Sequence, residues 1–323
     1  MTQSTVINGA PEVSVIVPLG ARHEDLPELC AGLEQVLRPI VAGYEVIVID
    51  DGAGESTRES LRQSAARWPS IRVVRLQRRM GESTALAIGA QLARGRIIVT
   101  LDAYLHVALA ELPKLLAPVR DGVDLVCVWR HPRHDSGLSQ SASNLFNAVA
   151  RRLTNVPVHD LNCRTRVMRR EVLQDLPVYG DLHRFLPIFA VRRGYTWREI
   201  QLPQQPGKSE IGASTLSSYV GRFLDLLTLL FLTRFVKRPL HFFGLMGVAS
   251  LTTGGALALY LCYVKLGLGL AIGHKPMLLL AVLLIVVGIQ IGSIGLLGEL
   301  MIFTHARDLP DYVVSEEVGG GGA

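Results

Sequence analysis

YEVIVID at positions 44–50, followed at once by Asp51 and Gly52, decides the fold. Val46, Ile47, Val48 and Ile49 are four consecutive β-branched residues. A run with no polar face belongs to a strand covered on both sides, the usual state of a parallel sheet. The run ends in two acids. Reading outward, VSVIVP (13–18) is a strand before it, and residues 24–37 between them have helical periodicity. After it, residues 55–68 read as a helix, 71–76 as a strand and 83–93 as a helix. RIIVTL (96–101) and DLVCVW (124–129) complete five strands. Strands alternating with helices of 10–15 residues imply crossover units and an α/β fold with a mostly parallel sheet. Such sheets bind ligands outside the carboxyl ends of their strands. Asp50, Asp51 and Asp102 all fall there. Capping of the following helices would place acids at the same points. No G-x-G-x-x-G follows the first strand and no G-x-x-x-x-G-K-[ST] is present, which disfavours dinucleotide and P-loop chemistry.

The second half of the 323-residue chain has a different solvent. Residues 239–264 and 276–298 contain no Asp, Glu, Lys or Arg. A bilayer core of about 30 Å needs roughly 20 apolar helical residues, so two spans are expected, at about 240–264 and 276–300. A pair of buried core helices is the alternative. Gly288 and Gly292 form a G-x-x-x-G step of the kind that lets membrane helices approach closely, although ordinary use of small residues in lipid gives the same pattern. Arg222, Arg234, Lys237 and Arg238 precede the first span, and His305 and Arg307 follow the second, so the positive-inside rule puts both ends in the cytoplasm. Residues 213–238 read as interfacial amphipathic helices, because Arg222, Asp225 and Arg234 interrupt an apolar run. Residues 1–12 and 305–323 read as flexible ends, and the N-terminus shows no cleaved signal peptide.

Composition agrees with this division. Hydrophobic residues make up 49% of the chain and charged residues only 19%, which excludes a disordered chain and argues against a purely soluble one. The net charge of +5 suits an anionic membrane surface or phosphate ligands and is no nucleic-acid signature. Cys30, Cys127, Cys163 and Cys262 lie far apart with no C-x-x-C pair, against a disulfide framework or a structural zinc site. Cys163 reads as a packing residue, and His131, His134 and His159 as surface-loop residues.

Several segments, in order, carry a resemblance. They are VSVIVP, VIVIDDG (46–52), the G-x-x-x-A-x-x-x-G run from Gly81 to Gly89, TLDA (100–103), residues 144–173, residues 179–195, and KRPLHFFGLMG (237–247) leading into the spans. Over about residues 13–305 the chain resembles the family-2 glycosyltransferases of the dolichyl-phosphate-mannose-synthase and bactoprenol-glucosyltransferase type. The resemblance implies a Rossmann-like GT-A nucleotide-sugar domain at 13–212, then the interfacial helices and a two-helix transmembrane hairpin at 239–304. It implies transfer of a sugar from a UDP- or GDP-sugar to a polyprenyl phosphate such as undecaprenyl phosphate, at the cytoplasmic face of the inner membrane. It also points to a homo-oligomer through the spans.

The site residues follow from the same resemblance. Pro18 and Glu24 would border the base and Asp51, beside Asp50, would hydrogen-bond it. Gly81 opens the helix that follows the third strand. Asp102 would face Mg2+ or Mn2+ on the diphosphate, with His106 as a second ligand. Arg130 and Arg166 match positions near phosphates, His183 and Arg184 lie on a helix facing the site, and Lys208 and Ser209 match a loop closing on the donor.

The pattern breaks inside this set. The family's D-A-D-x-Q reads Asp102-Ala103-Tyr104-Leu105-His106, and its G-K-S loop reads Gly81-Glu82-Ser83. Tyr is a poor ligand for a hard cation, and His favours Mn, Zn or Fe over Mg. Two readings therefore stand: a transferase with retuned metal or donor use, and a catalytically weakened homologue that binds lipid phosphate or a partner membrane protein.

Overall fold

The structure, a computed structural model, describes residues 10–19, 26–52, 55–102, 105–133, 137–176, 182–205, 224, 228, 239–267 and 276–305. These residues fall into two compact units, one within Met1–Leu226 and one within Leu227–Asp311.

The first unit is built on seven strands: β1 (Val13–Leu19), β2 (Tyr44–Asp50), β3 (Ile71–Arg75), β4 (Ile97–Thr100), β5 (Leu125–Arg130), β6 (Arg166–Arg169) and β7 (Trp197–Leu202). Their order in the sheet is β3-β2-β1-β4-β6-β5-β7. β1 pairs in parallel with both β2 and β4. The chain therefore runs outward through β2 and β3, then returns to the other side of β1. That reversal makes the carboxyl ends of β1 and β4 a topological switch point, where open α/β sheets form their ligand crevice. The mostly parallel α/β domain expected from the sequence is present.

Both faces of the sheet are covered, as the unbroken apolar runs require. On one face α1 (Leu26–Leu37) and α4 (Leu112–Arg120) bury Leu29, Leu33, Leu115 and Leu116 against Val15, Val17 and Val48. On the other, α3 (Glu82–Leu92) lays Ala85, Leu86 and Ala90 on Ile16, Ile47 and Ile98. The small residues of α3 let it lie close to the sheet. A side chain on Gly89 would overlap that of Ile16. α2 (Glu55–Arg67), α5 (Gly137–Thr154), α6 (Arg170–Asp175) and α7 (Leu186–Arg193) complete the unit.

Two corrections to the sequence reading concern the sheet. It has seven strands rather than five, and β6 is antiparallel to both β4 and β5. β6 is only four residues long with an arginine at each end, and β7 has one half-buried face, so neither has a core-strand pattern. Glu12, expected in the flexible N-terminal end, is held in place. The Glu12 N–H donates to Gly43 O at 2.9 Å, and its carboxylate meets Arg120 at 2.9 Å and Arg96 at 3.2 Å. Residues 1–9, nearly all of the proposed interfacial segment 213–238, and residues 306–323 lie outside the described residues.

The second unit is an antiparallel pair of helices, α8 (Pro239–Gly267) and α9 (Pro276–His305). Both are long and apolar enough to cross a membrane, with mean hydropathies of 1.6 and 2.7, and only 11% of each most apolar window is buried within the protein. A core helix of a soluble protein would be mostly buried, so the exposed aliphatic surface favours the bilayer reading. The G-x-x-x-G step lies at the helix contact. A Cβ on Gly247 would sit 2.8 Å from Gly288 O and 3.1 Å from Gly292 N. Ser250 Oγ donates to Leu284 O at 2.8 Å, and Glu299 accepts the Leu240 N–H, an orphan donor at the start of α8, at 3.3 Å.

Because α3 rests on Ile16 at Gly89, Gly89→Leu is expected to push α3 off the sheet. Overpacking of this kind costs roughly 1–3 kcal/mol. Chemical denaturation of the purified variant beside wild type checks this.

Candidate functional site

The switch point collects charge from five elements. β2 ends in Asp50, β5 ends in Arg130, and Asp102 follows β4 by two residues. Because β6 runs antiparallel, its first residue comes to the same edge, and Arg166 lies in register with Thr100 and Cys127. α3 begins there too, bringing Glu82 and Ser83. Pro18, Glu82, Thr100, Asp102, Arg164, Arg166 and His183 line one cavity at this edge.

Asp51 sets the entrance to α3. Its Oδ1 accepts the Met80 N–H at 2.5 Å and its Oδ2 the Gly81 N–H at 2.9 Å. Gly81 has φ of +90°, a conformation L side chains rarely adopt. The residue expected to meet a base thus also pins the loop that presents Glu82. Asp50 is fully buried beside it, with Arg75 Nε 3.4 Å from Oδ2.

From Glu82 a chain of contacts crosses the sheet edge with alternating sign. Glu82 Oε1 meets Arg164 Nε at 3.1 Å. Arg164 Nη1 donates to Asp102 Oδ1 at 3.1 Å. Asp102 Oδ2 lies 3.3 Å from His106 Nε2, and His106 Nδ1 lies 3.4 Å from Arg130 Nη1. Arg130 closes the line with a two-pronged pair to Asp160, at 2.7 and 3.2 Å. On the Glu82 side, His183 Nε2 is 3.4 Å from Oε2, and His183 Nδ1 is 2.9 Å from Ser83 Oγ.

Hydrogen-bond chemistry bears on one tautomer in this line. An arginine N–H can only donate, so His106 Nδ1 is the acceptor in its contact with Arg130. The Ser83 hydroxyl accepts the His183 backbone N–H at 3.3 Å and lies 2.9 Å from His183 Nδ1, which holds the ring beside Glu82.

The electrostatics follow from burial and these neighbours. Burial acts to raise the Asp102 carboxyl, but the contacts from His106 and Arg164 outweigh it and hold the group below its usual range. Asp160 is held down in the same way, Arg130 overcoming its burial. Glu82 goes the other way, from 4.5 to about 7, because burial and then the Asp102 charge exceed the help from Arg164. Burial, with the fields of Arg166, Arg184 and Arg164, pushes His183 down to about 3, so it stays neutral.

The expected site residues divide by placement. Pro18, Asp102, Arg166 and His183 share the cavity, and His106 and Arg130 join through Asp102. His183 and Arg184 lie in a 3-10 turn, Leu182–Phe185, ahead of α7 rather than on the helix itself. Arg166 is 3% exposed and donates to the carbonyls of His183, Leu161 and Arg184, so its guanidinium clamps the turn against β6. Glu24, Tyr104, His134, Lys208 and Ser209 lie outside the described residues. His131 and His159 are exposed as expected, and Cys163 is buried with its thiol pushed up to about 11 by burial. The sequence reading missed Arg164 and Asp160. Neither stands in a periodic element, and only the spacing of Arg164 two residues before Arg166 hinted at a shared face.

The donor set was tested for a divalent cation. Among the described residues no three His, Cys, Asp or Glu side chains form a metal-binding group. Asp102 fits as a single carboxylate ligand, since a small hard cation takes one or two carboxylates and fills its shell with phosphate and water oxygens. His106 is 1% exposed, and its Nε2 lies 3.3 Å from Asp102 Oδ2.

Comparison with known proteins places this geometry. Residues 14–177 match the family described as Glycosyl transferase family 2. Dodecaprenyl-phosphate galacturonate synthase of Rhizobium johnstonii is 30% identical over 94% of this chain and 92% of its own length. Undecaprenyl-phosphate 4-deoxy-4-formamido-L-arabinose transferase of Pseudomonas paraeruginosa is 30% identical over 95% of this chain and 90% of its own. The solved structure of glucosyl-3-phosphoglycerate synthase from Mycobacterium tuberculosis, in complex with Mn2+, uridine diphosphate and phosphoglyceric acid, matches with a TM-score of 0.55. At 18% identity, covering 70% of this chain and 79% of that one, the likeness is one of fold.

Glu82 generates a pH prediction. Its carboxyl is raised from 4.5 to about 7 in the folded state, so the folded chain holds a proton that the unfolded chain releases. The resulting stabilisation is complete below 4.5 and is lost as pH rises through about 7. Glu82→Gln mimics the protonated acid. It is expected to melt above wild type at about pH 8, with the gap closing toward about pH 5, in thermal unfolding scanned across pH.

Proposed function

Because this chain belongs to glycosyl transferase family 2 and is a polyprenyl-phosphate glycosyltransferase, we propose that it moves a sugar from a nucleoside-diphosphate donor to undecaprenyl phosphate, at the cytoplasmic face of the membrane. The observation that carries this reading is Asp102, a carboxylate kept ionised at the switch point of the sheet and ringed by guanidinium groups. Further support comes from the hairpin of α8 and α9, whose exposed aliphatic surface suits a lipid acceptor. The arginines and lysines before α8 favour the cytoplasmic face.

The chemistry asks little of a base. A phosphomonoester has a second pKa of about 6, so the lipid phosphate attacks as an anion. Its oxygen forms a bond to the sugar's anomeric carbon as the bond to the donor's β-phosphate oxygen breaks, with inversion. The electron pair leaves on the nucleoside diphosphate, and no proton has to move. His183, neutral and buried, lies against Glu82 with its Nε2 3.4 Å from Oε2. Asp102 would hold Mg2+ or Mn2+, which when bound supplies charge neutralisation to the leaving diphosphate. His106 and Arg130 fix the Asp102 carboxylate from behind. Pro18 lines the cavity beside Asp102, and Asp51 pins the turn that leads into Glu82.

The test is a transfer assay with undecaprenyl phosphate, a panel of UDP- and GDP-sugars, and Mn2+ or Mg2+, read as labelled lipid. Product is expected with at least one donor, and Asp102→Asn is expected to lower turnover by about 100-fold or more. No product with any donor, alongside normal lipid-phosphate binding, would favour a weakened homologue that only binds.

A further inference from the structure

The cavity at this edge holds only about 10 Å³, so a diphosphate reaching it has to part the side chains that line it. It meets two carboxylates, Glu82 and Asp102, and needs a cation that can reach it. Among the described residues four arginines act at this edge. Arg184, half-buried, adds its charge at Glu82 and His183 but does not line the cavity. Their surroundings separate the other three. Arg130 is 1% exposed and is locked two-pronged onto Asp160. Arg166 is 3% exposed and donates to three backbone carbonyls. Turning either toward a ligand would strand a buried acid or buried carbonyls. The Arg164 side chain is 27% exposed and faces the cavity, and its partners are the carboxylates flanking that cavity. Its backbone is fixed independently, because the Thr100 hydroxyl donates to Arg164 O at 2.7 Å.

The two partners hold it unequally. Asp102 is deeply buried, and its side chain is only 7% exposed. Glu82 sits at the mouth, 21% exposed, on the loop held by Asp51. An incoming phosphate competes with Glu82 for Arg164, since both offer oxygens that accept guanidinium N–H groups. The phosphate brings the greater negative charge to the contact.

Resting on the transferase reading, we infer that Arg164 is the guanidinium that receives the transferred sugar's phosphate anion, from the donor diphosphate, and that Glu82 holds it in place until that anion arrives. Arg164 is thus a catalytic residue, and Glu82 is its positioning residue. The acceptor's phosphate carries the same chemistry. The donor is the assigned source because Arg164 shares its cavity with Pro18 of β1 at the sheet's switch point, the crevice where open α/β sheets take nucleotide ligands.

The experiment measures binding to the full-length protein in detergent, by calorimetry with UDP, GDP, UMP and GMP. Flotation with vesicles containing undecaprenyl phosphate forms a second arm. Arg164→Gln is expected to weaken whichever nucleoside diphosphate wild type binds by about tenfold or more, to leave the monophosphate within about twofold, and to leave flotation unchanged. Arg164→Lys, which keeps the charge but loses the fork, is expected to fall between and guards against misfolding of the Gln variant. Glu82→Gln is expected to bind the diphosphate as well as wild type or better. Unchanged diphosphate affinity in Arg164→Gln overturns the assignment, as does a loss confined to the lipid arm, which would make Arg164 an acceptor residue. Equal losses in Glu82→Gln and Arg164→Gln overturn the holding role of Glu82. A wild-type protein that binds neither diphosphate, with or without Mn2+, removes the transferase reading as well.

Discussion

A charge taken out of water must find an opposite charge, and at the carboxyl edge of this sheet that requirement organises everything else. Asp102 can stay ionised in a nearly dry position because Arg164 and His106 take one oxygen each. His106 is oriented by Arg130, and Arg130 is tolerated at 1% exposure only because Asp160 meets it with both oxygens. Losing one member of such a line leaves its neighbour buried and unpaired, which costs about 3–5 kcal/mol. The arrangement contributes little net stability compared with apolar packing. What it supplies is a fixed electrostatic shape, with the half-buried Arg164 guanidinium in front and a buried acid behind.

The positions at which this chain departs from the pattern it resembles are informative in that light. Glu82 and His106 both replace residues of other charge or size, and both fall in the same line of contacts. A carboxylate at 82 would be isolated near Asp102 without Arg164, 3.1 Å away. These two changes therefore lie in one line of charged contacts, Glu82 against Arg164 and His106 against Asp102.

The two units solve opposite solvation problems. In the first, aliphatic faces of helices cover both sides of a sheet, and polarity is confined to its edge. In the second, aliphatic side chains point outward, and contact between the helices depends on the absence of side chains. Gly247 and Gly288 each approach the other's carbonyl too closely for a Cβ. Lipid offers no hydrophobic drive to helix pairing, so backbone proximity and the Ser250 hydrogen bond to Leu284 O have to supply it.

The sequence by itself determined the α/β class, the first strands, the two long apolar helices and the acids at strand ends, because these are local properties: runs of β-branched residues, stretches without charge, and acids placed next to such runs. Tyr44–Asp50 was readable to the residue for that reason. Only the tertiary structure decided which of those acids work together. β6 carries no periodic pattern, yet its antiparallel insertion between β4 and β5 is what brings Arg166 to the site edge and Arg164 to Asp102, 62 residues away in the chain. No pattern foretold that Arg166 would hold three carbonyls, or that His106 would stand between Asp102 and Arg130. Pairing of buried charges is set by distances between elements far apart in sequence, and a one-dimensional pattern holds no record of those distances.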